Sequence, residues 1–195
     1  MWTKLRGTEI WTLAERQYDS PAGRAYHNMG HVEHLYEVAE ELGYPYDEDL
    51  DQAILRHDVI YDKNPQKEFR SALWMLGTVH EASAKTKSLV MSTADHTPCE
   101  DNRLIILDLY DLSIKDRREA NLILIREESK SLYEISEADF KEANIAFMSG
   151  LYDRIMSGRA MMTYQEEGLF DDILYGIEEG FINKRREVSG DAPGY

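Results

Sequence analysis

Helical period runs along nearly the whole of this chain, and no other pattern competes with it. The five prolines, at 21, 45, 65, 98 and 193, punctuate segments whose apolar residues recur at three- and four-residue intervals. Strand-like alternation never persists beyond a few residues, and no internal repeat is evident. The spacing predicts helices over about 3–18, 28–42, 47–61, 66–80, 83–95, 100–112, 116–133, 137–156 and 167–181, with Ser136 as an N-cap. The joins are short, so the expectation is an all-α helical bundle forming a single domain over 1–183. The tail 184–195, KRREVSGDAPGY, is expected to fray.

Within these helices, groups that carry charge fall on apolar stripes. In DLDQAILRHDVIYD the stripe is Leu50, Ala53, Ile54 and Tyr61, and His57 and Asp58 sit at i+7 and i+8 from Leu50. In NRLIILDLYDLSI, Leu104, Leu107, Asp108 and Asp111 share a face. His31 lines up with Leu35, Val38 and Leu42, with His27 one turn before it and His34 at the edge of the stripe. His96 lies at i+7 from Leu89. An inward carboxylate costs several kcal/mol unless it is paired or metal-bound. A divalent cation accounts for all four segments together, because neutral imidazoles and carboxylates are its natural ligands.

Composition narrows the partners. Asp and Glu number 37 against 22 Lys and Arg, a net charge of −15, and so acidic a surface repels nucleic-acid backbones. It still permits an anionic small molecule where metal or local cations reverse the field. Cys99 is the only cysteine, so no intrachain disulfide forms and a reducing compartment fits. The opening MWTKLRGTEI lacks a signal-peptide core, and no stretch approaches the roughly 18 apolar residues of a spanning helix. A cytoplasmic location, no membrane partner and a possible homo-oligomer are the expectations.

The blocks YHNMGHVEHL, AILRHDVIYD, KEFRSA, STADHT, LDLYDLSI and IREE, in that order over about residues 20–160, resemble the predicted metal-dependent subgroup of the HD-domain phosphohydrolases. The resemblance implies an HD-like bundle with His31, His57, Asp58 and Asp111 as metal ligands. Asp111 is preferred to Asp108 because Asp111-Leu112 fits the family's closing Asp-Leu, although Asp-Leu-Tyr-Asp-Leu departs from the family's Asp-x-Asp-Leu. Glu68 and His96 match a further Glu and His, and are candidates for general base, metal support or a second ion. Glu68 follows Lys67 where the family has Asn. His27 remains a secondary candidate.

The implied activity is phosphoester hydrolysis of a nucleotide or other small phosphorylated substrate. A cation (Mn²⁺, Mg²⁺, Fe²⁺, Co²⁺, Ni²⁺ or Zn²⁺, one or two per chain) would activate the attacking water. Arg126, Lys63, Arg24 and Arg159 are candidate phosphate contacts. His80 reads as a helix-end dipole partner, and Trp74, Met75, Met161 and Met162 as core or cleft wall. Two other classes compete. A di-iron HD-fold oxygenase would need two more His ligands, and a non-catalytic ligand-binding module would bind metal without turnover.

Overall fold

The computed structural model describes residues 2–20, 22–64, 66–74 and 81–182. Among them the chain is all helical with no strand, the single-domain α bundle expected from its period. Helix α1 spans Glu9–Tyr18, α2 Met29–Glu41, α3 Glu48–Arg56, α4 Lys67–Ala72 and α5 Ala84–Ser92. Helix α6 spans Arg103–Leu109 and runs into a 3₁₀ turn at Tyr110–Ser113. Helices α7, Lys115–Tyr133, and α8, Glu137–Ser157, lead through a 3₁₀ turn at Arg159–Met161 to α9, Tyr164–Ile177. A π-helical turn at Glu178–Ile182 follows α9. The expected end of the fourth helix, Met75, His80 and the tail 184–195 lie outside the described residues. No described helix is long and apolar enough to cross a membrane.

Side-chain caps set most helix starts. Ser136 accepts from Asp139 N, and Thr163 forms a reciprocal capping box with Glu166. Asp47 opens α3 ahead of Glu48, Asp49 and Asp51, whose charges favour the positive end of the helix dipole. The first helix begins later than its period suggested. Thr8 caps it, and Thr3 and Lys4 instead tie to Asp51 through Thr3 Oγ1 and the Lys4 amide.

Helix α6 organises the bundle. Its run Leu104–Leu107 is apolar all round, the pattern of a helix buried on every side. Leu104 and Leu107 join a core formed with α1, α2, α3 and α5, through Trp11, Val32, Leu35, Leu50, Ile54 and Leu89. Ile105, Ile106 and Leu109 join a second core with α8 and α9, through Leu151, Ile155, Phe170 and Ile173. Among the described residues, Asp108 therefore rides on the helix whose buried side chains enter both cores. The 3₁₀ turn after it packs against α9 so closely that a Cβ at Gly176 would stand 1.9 Å from the Leu112 carbonyl oxygen.

Candidate metal centre

Three helix ends deliver the central groups. Asn28, in Tyr-His-Asn, accepts from the Gly30 and His31 amides and starts α2, which puts His31 in the first turn. Helix α3 stops at Arg56, so His57 and Asp58 occupy its C-terminal edge rather than the middle of a longer helix. The break exposes the carbonyls of Asp58 and Val59. Arg24, buried over the ring of Tyr18, donates to both. Asp108 comes from the last turn of α6.

His31 Nε2 and His57 Nε2 stand 3.2 Å apart, and Asp108 Oδ1 lies 3.2 Å from the first and 3.9 Å from the second. Nitrogen ligands held about 2.1 Å from one ion are separated by roughly 3.0–3.4 Å at octahedral or tetrahedral angles, so this spacing suits a shared cation. The group His31, His57 and Asp108 can hold a metal. His57 Nδ1 lies 2.9 Å from the Ile54 carbonyl oxygen. A carbonyl only accepts, so Nδ1 carries the proton and Nε2 keeps its lone pair for the centre.

Asp58 Oδ2 approaches His57 Nε2 at 3.2 Å and His27 Nε2 at 3.9 Å, on the edge of the three-residue group. Burial opposes charge on His57, but Asp58 and then Asp108 outweigh it and push the imidazole up to about 9. The same attraction holds the Asp58 carboxyl well below the usual carboxylate range against its burial. For His31 burial dominates, and its pKa falls.

A supporting shell surrounds these groups. His27 Nδ1 donates to Glu128 Oε1 at 2.5 Å, and Glu128 Oε2 accepts from the Tyr26 and His27 amides. Glu128 is buried, and its carboxyl is held low because His27 and these amides outweigh burial. His27 also stacks on Tyr61, with ring centroids 4.2 Å apart. His96 Nε2 lies 2.8 Å from Asp108 Oδ2, and its backbone is left-handed at φ 57°. A side chain other than glycine in that region is a strained choice that its surroundings enforce. His96 Nδ1 is buried without a hydrogen-bond partner.

The structure gives the two candidate aspartates different partners. Asp108 meets His31, whereas Asp111, one turn later, accepts from His34 Nε2 at 2.9 Å and Asn121 Nδ2 at 2.8 Å, with Arg117 at 3.5 Å. His31–Asp108 and His34–Asp111 thus form two successive rungs between α2 and the α6 end. The central group draws on Asp108 because the first rung faces His57.

The cation candidates also fall differently. Arg24 is committed to the Asp58 and Val59 carbonyls. Arg126 turns outward to Glu137 at 2.5 Å, because the inward stripe of α7 is Arg118, Asn121, Ile125 and Glu128. Arg159 pairs with Asp171, and Lys63 lies over the Tyr133 ring. Glu68 is partly buried and pairs with Lys67 at 3.5 Å. Lys67, unmarked in the sequence, sits 4.1 Å over the Tyr61 ring and its charge acts on Asp58. Trp74 and Met162 pack on the cores as expected, while Met161 is half exposed.

A cavity opens beside the centre, lined by Tyr26, His27, His96, Asp108, Asp111 and Asn121 together with apolar residues of α7 and α8. Comparison with models of known families, with curated proteins and with solved structures finds no match to this chain.

Proposed function

We propose that the chain is a metal-dependent phosphoester hydrolase of the HD-domain type, with His31, His57, Asp108 and Asp58 holding a divalent cation. The observation that carries the proposal is the 3.2 Å approach of two buried imidazole Nε2 atoms beside the Asp108 carboxylate. A divalent cation shared by these groups would offset the cost of burying two imidazoles and a carboxylate at this spacing. The cation would lower the pKa of a bound water and draw charge from phosphate oxygens.

The protein groups then have separable tasks. The Ile54 carbonyl fixes the His57 tautomer. Glu128 fixes His27 with its Nε2 toward Asp58, where it can hold or pass a proton. His96 orients Asp108 through the second carboxylate oxygen. Lys67 supplies positive charge on the Asp58 side, where an anionic ester needs it. The substrate is a small phosphoester whose phosphate would meet the cation and whose esterified group would enter the cavity beside Asp108.

Purified protein with Mn²⁺, assayed against p-nitrophenyl phosphate, nucleotides and sugar phosphates, tests the proposal. Metal-dependent phosphate release that Asp58→Ala abolishes is the expected result. No release from any ester, with the ion bound, would overturn it.

A further inference from the structure

The cavity beside Asp108 measures about 120 Å³. Its apolar wall is Leu122, Ile125, Phe147, Met148, Leu151 and Phe181. For scale, an apolar protein cavity of roughly 150 Å³ holds benzene. The volume therefore suits one six-membered ring or a short hydrocarbon chain.

Most polar groups in the lining are engaged with the protein itself, His96 Nδ1 being the buried exception. Asn121 Nδ2 donates to Asp111, Arg118 donates to the Leu112 carbonyl at 2.7 Å and pairs with Glu179 at 2.5 Å, and His27 is held by Glu128. A nucleobase entering here would shed water from its carbonyl and N–H groups and find few partners in exchange. A plain ring loses no such hydrogen bonds.

We propose that this cavity is a subsite for a single aryl ring or short hydrocarbon group esterified to the phosphate, and that it selects against nucleobases. The proposal rests on the phosphoester-hydrolase reading above, and it sharpens the substrate class. With phenyl phosphate the reaction is simple. A water oxygen bonds to phosphorus, the ester P–O bond breaks, one water proton ends on the leaving oxygen, and phenol and inorganic phosphate result.

Two probes of equal ring size, phenol and uracil, separate ring selectivity from turnover. Titrated into the full chain and followed by NMR, phenol is expected to bind about tenfold more tightly than uracil. Leu122→Trp, which fills the cavity, should weaken phenol about tenfold, with circular dichroism confirming the fold. Phe147→Ala, at a half-exposed wall position, should weaken it less and provides a second variant. With Mn²⁺, phenyl phosphate should exceed uridine 5′-monophosphate in kcat/KM by about tenfold. Uracil binding as tightly as phenol, or phenol binding untouched by both variants, overturns the subsite. Selective phenol binding without phosphate release from any ester retires the hydrolase reading and upholds the ring selectivity.

Discussion

The Nδ1 atom of His57 lies 2.9 Å from the carbonyl oxygen of Ile54, three residues back at the end of α3. That contact decides which imidazole nitrogen faces the centre. Nε2 is the atom a cation would use, and it is also the atom on which Asp58 and Asp108 favour a second proton, at a pKa of about 9. Ion and proton therefore compete for one nitrogen. Cation affinity should rise with pH between 6 and 9 and then level off. Calorimetry in two buffers of different ionisation enthalpy should show about one proton released per ion at pH 7. Release of none would contradict this assignment.

Glu128 joins chain positions 101 residues apart, holding both amides of Tyr26-His27 and the His27 ring. Glu128→Ala leaves these buried donors unmatched. It should destabilise the fold by about 3 kcal/mol in urea unfolding, in the range for breaking a buried charged pair. A cost below about 1 kcal/mol would assign the Tyr26–Asn28 turn to other contacts.

The all-α class and the positions of most helices were legible because apolar period and caps such as Ser136 agree. His31 and His57 were legible for the same reason, as imidazoles on apolar stripes. Asp108 and Asp111 were not separable by periodicity. Three residues apart, they share a helix face, and only the packing of α6 against α2 assigns one rung to His57. Glu128 was hidden because the inward stripe of α7 is mostly polar, and Arg126, two positions earlier, lies on the outward face. Polar residues at i, i+3 and i+10, with Ile125 at i+7, trace the inward stripe Arg118, Asn121, Ile125 and Glu128. Arg24 shows a different limit. Its task follows from where α3 breaks, and the stripe had suggested an unbroken helix through Tyr61.

Two glycines in or near one helix should respond oppositely to alanine. At Gly176 the new methyl would stand 1.9 Å from the Leu112 oxygen, so the 3₁₀ turn carrying Asp111 must move. Gly176→Ala should cost about 2–3 kcal/mol. At Gly168 nothing lies within 4 Å, and Gly168→Ala should stabilise by about 0.5–1 kcal/mol. Thermal unfolding of both variants checks the contrast, and equal shifts would refute the tight packing of α9.

The His34–Asp111 rung should make stability depend on pH. The hydrogen bond to Asp111, ahead of burial that opposes it, raises the His34 pKa. Its contribution is full below about pH 6.5, the unfolded value, and fades as pH climbs through the higher folded value. For Asp111 burial works upward, but His34 dominates and lowers its pKa, so that contribution is lost only as pH falls through the depressed value. His34→Gln should cost up to about 1 kcal/mol at pH 5.5 and less at pH 8.5 in urea titrations, since the ring is partly exposed. A cost independent of pH would remove the charge from this pair.

Calorimetric titration of Mn²⁺ or Zn²⁺ into Asp108→Ala and Asp111→Ala, beside the unaltered chain, tests the centre most directly. The account predicts that Asp108→Ala lowers affinity at least about 100-fold, while Asp111→Ala, outside the group of His31 and His57, changes it by less than about tenfold. Wild-type affinity in Asp108→Ala, or loss confined to Asp111→Ala, would contradict it.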